Sequence, residues 1–513
     1  MDADTYNIPT TITIDKPVHL LGYNADGNHG ITPIVDAGSS NRCFDITASG
    51  CIIENFIIQN GAASTLGYSN NEGGGIRCKT TDSTIRNTTI RNCTAYYGGA
   101  VQNGTLSSCT LYDNVATSRG GAIEGSMVWD STITSNSAAG YGGGASGAWL
   151  ANCIISTNTT QHGGGAYNST FTNCTIFANT ATSDGGAARN STLDACNITS
   201  NSAPYGGGLS DCTADRCVIS TNNATEHHGG GVYNGTTHNC TLFYNRAEER
   251  GGGSYNSALR NCTVVNNAAE EAGGAFAGYI YNSILWDNFA WTNNANVGGT
   301  TPRRSCYPEA DPSNAYYSNI TNNPLFVAYA PSLFFRGSDF YLSPLSPCLN
   351  AGENNQVQTD RDFNGWDRII YGTVDMGANE MYFFNADNDG DGMPDGWELE
   401  NFGGTTNAVA GEDADGDAFD NHAEYIAGTG PHDDQAFLRI TQSEMVDSEG
   451  NMHITLHWSP SVEGRIYGIS WSTNLVEGFE DSGRSFYYPH SSAGFENNNI
   501  PDAFYKINVR LDD

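Results

Sequence analysis

A diglycine returns along this chain at an almost fixed interval. Its first glycine falls at Gly73, Gly98, Gly120, Gly142, Gly163, Gly185, Gly206, Gly229, Gly251 and Gly273, with steps of 25, 22, 22, 21, 22, 21, 23, 22 and 22 residues. A constant period over ten copies marks a repeat architecture. The copies read N-C-T-[ILV]-x-x-N-x-A-x-x-x-G-G-[GA], as in Asn173-Cys174-Thr175-Ile176 through Asn179 to Gly185-Gly186-Ala187. Between the fixed positions the segments are short, β-branched and alternating, with no helical period. Short strands with glycine corners predict one coil per repeat, stacked about 4.8 Å apart. The expected fold is all-β: a right-handed, single-stranded parallel β-helix.

The fixed residues follow from stacking. Asn92, Asn114, Asn136, Asn158, Asn179, Asn201, Asn222, Asn245, Asn267 and Asn288 predict an amide ladder that satisfies turn backbone. Asn103, Asn168, Asn190, Asp211, Asn234 and Asn256 predict a second corner. Cys109, Cys153, Cys174, Cys196, Cys217, Cys240 and Cys262 share a slot with Thr88, Ser131 and Ser283, which suits small packed side chains better than disulfides. Cys306 and Cys348 lie outside that slot and are the better disulfide candidates.

The repeat resembles those of the polymorphic outer membrane proteins, and more widely the pectate-lyase-like β-helix proteins, over residues 73–290. That resemblance implies the fold strongly and activity weakly, since the fold hosts lyases, hydrolases and adhesins. Ser346-Pro347-Cys348-Leu349-Asn350-Ala351-Gly352 with Asp375-Met376-Gly377-Ala378-Asn379-Glu380 is similar to the closing segment of bacterial choice-of-anchor proteins. It implies a cap on the C-terminal end of the stack. The predicted organisation is a β-helix over 1–380, with its closing segment at 300–380, a calcium-binding segment over 385–430, and a small antiparallel β-sandwich over 436–513.

Asp387, Asp389, Asp391, Met393 (by its carbonyl), Asp395 and Glu398 fit positions 1, 3, 5, 7, 9 and 12 of an EF-hand loop, with Gly392 at the turn. Asp413, Asp415, Asp417, Phe419 (by its carbonyl), Asn421 and Glu424 repeat the pattern, with Ala418 replacing the turn glycine. The pair resembles the loops of dockerins and thrombospondin type 3 modules, and implies two bound calcium ions. Such loops fill in the millimolar calcium outside cells, so an extracellular or cell-surface location is expected. No signal peptide is visible at Met1, and Thr11–Ile14 already reads as a strand, so the natural N-terminus is expected upstream.

The formal charge is −34, from 22 basic and 56 acidic residues, which argues against nucleic acid and anionic membranes as partners. No apolar run is long enough to span a bilayer. A monomer is expected.

One variable residue precedes each diglycine: Glu72, Tyr97, Arg119, Tyr141, His162, Asp184, Tyr205, His228, Arg250 and Ala272. Gln102, Glu124, Tyr167, Arg189, Tyr233 and Tyr255 follow the diglycines at a fixed offset. Such a row suits a polysaccharide or cell-surface glycan, with Arg119, Tyr141, His162, Tyr205, His228 and Arg250 as contacts. Adhesion or glycan binding is the leading function. Three readings of the row stand open: inert turns, binding, and catalysis by a polysaccharide lyase or glycoside hydrolase using His162, Asp184, Arg189 and Tyr205.

Overall fold

The computed structural model describes residues 5–22, 32–63, 71–292, 294–326, 340–343, 346–370, 372–381, 387, 389–402, 408–436, 438–448, 451–462, 465–472, 480–487, 490–497 and 504–511. The chain divides into two compact units, Met1–Met381 and Tyr382–Asp513. Among the described residues no helix is long and apolar enough to cross a membrane.

The first unit is a parallel β-solenoid. One sheet has thirteen strands, one per coil from Thr5–Asn7 to Ile284–Trp286, and a second has ten. A third holds twenty-three strands, two per coil over most of its length, on either side of a two-residue bend in the regular coils. Registers are parallel throughout this unit's ladders, as in Thr175–Phe177 against Ile154–Ser156 and Asn197–Thr199. The central residue of each such strand points inward. Ile90, Leu111, Ile133, Ile155, Ile176, Ile198, Ile219, Leu242, Val264 and Leu285 therefore form one continuous apolar ladder, all buried.

Each regular coil turns through four residues of positive φ. In one coil these are Gly185, Asn190, Ala195 and Ser200, spaced five apart. Only the glycine corner also sits where a Cβ would strike the backbone of its own turn: at Gly185 it would lie 2.5 Å from the Ala188 carbonyl oxygen. This explains why the diglycine is the most regular mark in the sequence, while the other corners accept Asn, Asp, Ser and Ala.

The asparagine ladder forms as expected, with one change of register. Asn114 Nδ2 donates to Asn136 Oδ1 at 3.0 Å, and the pattern continues coil by coil to Asn288, which donates to Asn296 at 2.9 Å. Each Oδ1 also accepts the backbone N–H of the preceding asparagine, as Asn158 does from Asn136 at 2.9 Å. The slot before Asn114 belongs to Cys93, whose N–H reaches Asn114 Oδ1 at 3.0 Å, whereas Asn92 is the exposed positive-φ residue of that coil. A neighbouring Asn can fill either place, so the sequence pattern slides by one. The diglycine slides similarly at Ala272-Gly273: Ala272 carries the positive φ, and Glu271 takes the row position expected of Ala272.

The cysteine slot is a second hydrogen-bonded ladder. Cys153 N–H donates to Cys174 Sγ at 3.4 Å, and Cys109 N–H to Ser131 Oγ at 3.0 Å. Sulfur and hydroxyl do the same work, which accounts for their interchange. All fourteen cysteines are free and buried. Cys306 and Cys348 meet in one apolar cluster with Ile284, Leu342 and Met376, and the Cys348 thiol beside it, together with burial, raises the Cys306 thiol.

The closing segment packs sideways, against the expectation of an end cap. Ala378 N–H donates to Thr263 Oγ1 at 3.0 Å, and Phe340 packs on Phe243 and Val265, all outward-facing residues of the thirteen-stranded sheet. Apolar outward residues on the last coils supply the reason, since they need cover that an end cap would not give.

The second unit contains helices Asp395–Phe402 and Asn421–Ala427 and two three-stranded antiparallel sheets. Leu456, Trp458 and Ala493 of one sheet face Tyr467 and Ile469 of the other across a shared core, giving the expected sandwich. Arg465 ties it to the second helix by donating to the carbonyls of Ile426 (2.7 Å) and Tyr425 (2.8 Å).

Candidate functional site

The row beside the glycine corner is a true ladder. Glu72, Tyr97, Arg119, Tyr141, His162, Asp184 and Tyr205 are bridged in parallel register, as are His228, Arg250 and Glu271. The second row, across the glycine turn, runs Arg77, Gln102, Glu124, Ser146, Tyr167, Arg189, Ser210, Tyr233, Tyr255 and Phe276. The bend at each diglycine brings the two rows within side-chain reach of one another.

Three of the four proposed catalytic groups meet. Asp184 Oδ1 lies 3.0 Å from His162 Nδ1 and 3.1 Å from Arg189 Nη1, and Arg189 Nη1 lies 2.8 Å from His162 Nδ1. Arg189 Nε also faces Asp211 at 3.5 Å. The contacts on His162 both use Nδ1, so Nε2 is the atom left to meet a ligand. When Nδ1 carries the proton it donates to Asp184 and Nε2 is a base; when Nδ1 accepts from Arg189, Nε2 is a donor. Tyr205 stands one coil on and packs instead against His227 at 4.4 Å and Tyr233 at 5.2 Å.

The glycan-contact candidates fall into two clusters around this trio. Arg119 pairs with Glu124 at 2.8 Å and covers the Tyr97 ring at 4.5 Å, while Tyr141 stacks on His162 at 5.1 Å and leans on Tyr167 at 4.6 Å. On the far side His228 stacks on Tyr255 at 4.2 Å, and Arg250 pairs with Glu271 at 2.9 Å while lying over Phe276 at 4.8 Å. Tyr233, Tyr255 and Phe276 continue the stack at 5.6 and 5.7 Å. Ring faces thus cover one another along the axis, so hydroxyls and ring edges face outward. Glu249, which is hydrogen-bonded to His227 Nδ1 at 3.2 Å and lies 3.3 Å from His228 Nδ1, was not singled out by the repeat because it lies one place before the row.

In the second unit both acidic loops are wound around their first aspartate. Asp387 accepts from the N–H groups of Gly390 (2.7 Å), Asp391 (3.1 Å) and Gly392 (2.9 Å), and Asp413 from Gly416 (2.7 Å) and Ala418 (2.8 Å). These backbone donors hold both carboxyls below their ordinary range. One oxygen each from Asp387, Asp389 and Asp391 lies within 4.8 Å of the others, and the same holds for Asp413, Asp415 and Asp417. Asp391 Oδ2, Asp415 Oδ2, Asp417 Oδ2, Asn421 Oδ1 and Glu424 Oε2 are buried oxygens without a hydrogen-bond donor. Burial, with crowding by Asp415 and Asp417, pushes Glu424 up to about 7. Carboxylate and amide oxygens are hard donors of the kind that divalent cations prefer. Met393 is buried, Phe419 is exposed, and Glu398 accepts from Ala408 N–H at 3.1 Å. The side chain of Asp395 lies outside the described residues. Ala418 takes φ +79 where the first loop has Gly392 at +91.

The fold is a parallel β-solenoid followed along the chain by antiparallel sheets. The crystal structure of pectate lyase Pel9A matches with TM-score 0.32 and 12% identity, over 72% of this chain and 97% of that one. The A-module of the Azotobacter vinelandii mannuronan C-5 epimerase AlgE6 matches with TM-score 0.22 and 13% identity, over 57% and 91%. Both likenesses concern the fold alone. No protein-family model matches the chain, and no curated protein matches it.

Proposed function

We propose that this protein binds a polysaccharide along the rod face that carries the two rows, outside the cell or at its surface, and that calcium fills the two loops of the second unit. The observation that carries the binding reading is the unbroken register of Tyr97, Arg119, Tyr141, His162, Asp184 and Tyr205 on one line. A repeating ligand meets a repeating surface there, at about 4.8 Å per coil. Arg, Glu, Asp, His and Tyr offer hydrogen bonds to hydroxyls and carboxylates at each step. The orphaned oxygens of Asp391, Asp415, Asp417, Asn421 and Glu424 support calcium, which in turn supports a calcium-rich exterior.

A second reading, cleavage of an acidic polysaccharide, is favoured by the 3.0 Å contact of Asp184 with His162. Asp184 would orient the imidazole, Nε2 would take the proton α to a uronate carboxylate, and Arg189 would offset the developing charge. The β C–O bond would break as the C=C bond forms, and the leaving oxygen would take a proton from water. The experiment is a panel of neutral and acidic polysaccharides, scored for retention and for ultraviolet-absorbing unsaturated products. Retention without products supports binding alone; products abolished by His162→Ala support cleavage; neither result leaves both readings without a ligand and overturns them.

A further inference from the structure

A different outward face of the solenoid carries a row that the repeat pattern does not mark. Asp194, Asp215, His238, Arg260, Tyr281 and Arg303 stand in parallel register on six successive coils. Most of its charges are already matched. Arg216 forks onto Asp194 at 3.0 Å (Nε to Oδ1) and 2.5 Å (Nη2 to Oδ2), and Arg303 pairs with Glu353 at 3.2 Å. Asn239 ties Asp215 (2.9 Å) to the closing segment at Thr359 Oγ1 (2.6 Å) and Arg361 O (2.9 Å), which walls one side. Arg361 is paired with Asp367.

Arg260 differs. Among the described residues no carboxylate pairs with it, its buried Nε has no hydrogen-bond partner, and its guanidinium lies 5.6 Å from the Tyr281 ring centre. The adjacent His238 has a buried, unpartnered Nδ1. Burial, and then the Arg260 charge, push His238 down to about 4, so its ring is neutral and serves only for hydrogen bonding. A cation left unmatched in a chain of charge −34, beside a polar atom with no partner, is a place prepared for an anion.

Tyr281 also lines a depression of about 170 Å³ with Tyr279, Thr300, Arg303, Tyr316 and Tyr317. Tyr279 and Tyr316 are 69% and 70% exposed, against 39% for Tyr141 in the stacked row. Their exposed rings are apolar surfaces with a polar tip, the kind that packs on sugar C–H groups. Arg260 adjoins this groove through the Tyr281 ring, which lines the depression and faces the Arg260 guanidinium.

We propose that this groove is a subsite for an anionic sugar unit, with Arg260 receiving its carboxylate or sulfate and Tyr279 and Tyr316 holding its ring. The proposal shares with the reading above the premise that the ligand is a polysaccharide, but it uses separate residues on a separate face. The test is affinity electrophoresis of the full chain in gels containing polygalacturonate, dextran sulfate or neutral dextran. Retardation by either polyanion, weakened at least tenfold in both Arg260→Gln and Tyr279→Ala at unchanged melting temperature, is the expected result. Polygalacturonate alone would assign a carboxylate, and dextran sulfate alone a sulfate. The proposal is overturned if neither polyanion retards the protein, or if both groove variants bind as the parent chain does. Retardation by dextran that falls in Tyr141→Ala but not in Arg260→Gln would also overturn it, while keeping the reading of the two rows.

Discussion

Arg189 places its Nη1 2.8 Å from His162 Nδ1, one coil away, and 3.1 Å from Asp184 on its own coil. The trio is partly exposed, with 28% of the Arg189 side chain and 17% of Asp184 open to solvent. Solvent screening keeps such a pair to within about 1 kcal/mol of stability. Arg189→Gln is therefore expected to leave the urea midpoint almost unchanged while lowering retention on the bound polysaccharide tenfold or more. Equal retention by variant and parent would remove Arg189 from the binding face.

Asn201→Ala acts in the opposite sense. It removes the acceptor of both Asn179 N–H and Asn179 Nδ2, each at 3.0 Å, in a fully buried corner. Asn179 Nδ2 keeps the carbonyls of Ile155 and Phe177, so the Asn179 N–H is the donor left orphaned, and a loss of about 1–3 kcal/mol is expected in denaturant unfolding. Because coils contact chiefly their neighbours, hydrogen exchange should quicken first in the coils on either side.

The coil, the asparagine ladder and the place of the cysteine slot were legible because each is fixed by position within a short period, whereas the acceptor role of the cysteine sulfur shows only in the structure. The misreadings at Asn92 and Ala272 arose where two adjacent residues could each take a left-handed corner. The sideways closing segment was not legible, since Phe243, Val265 and Thr263 occupy outward slots that look variable until their cover is seen. The trio of His162, Asp184 and Arg189 was legible from register, whereas Asp215, His238 and Arg260 drift with steps of 23 and 22 residues through an unmarked slot.

The closing segment should weaken as pH rises. Asp375 is pushed up to about 6 and Glu380 to about 9, chiefly by burial, with Arg368 opposing through its 3.4 Å contact with Glu380. Both carboxyls bind protons more tightly folded than unfolded, where they titrate near ~4. Their contribution is intact below pH ~4 and is lost as pH climbs through about 6 and then about 9. Hydrogen exchange in residues 346–381 should accelerate from pH 5 to pH 9 beyond the intrinsic rate, and Glu380→Gln should flatten the upper part of that rise. An unchanged protection factor across this range would contradict the assignment.

Removing divalent cations with EDTA is expected to lower the melting temperature of the second unit, and calcium should restore it. Ala418→Gly relieves a side chain held at φ +79, so the second loop should bind calcium more tightly, by several-fold for about 1 kcal/mol of strain. Glu424→Gln should weaken the same loop without altering the first. Calorimetric titration of the three chains distinguishes these outcomes, and identical heats in all three would count against the second site.

The asparagine ladder has a direction. Each Oδ1 receives protons from the coil before, while each Nδ2 donates forward to the next Oδ1 and back to a carbonyl of the preceding coil, as Asn179 does to Asn201 and Ile155. A newly added coil therefore satisfies its predecessor's N–H and waits on its successor for its own. The series ends where Asn296 Nδ2 donates to both oxygens of Glu309 at 3.0 Å, a group that accepts and passes nothing on. Growth from the N-terminus, as during synthesis, would leave one incomplete rung at the advancing tip until that carboxylate arrives. Glu309 thereby works as a full stop for this one ladder, while the slot beside it runs on from Ser283 through Ser305 to Asn319.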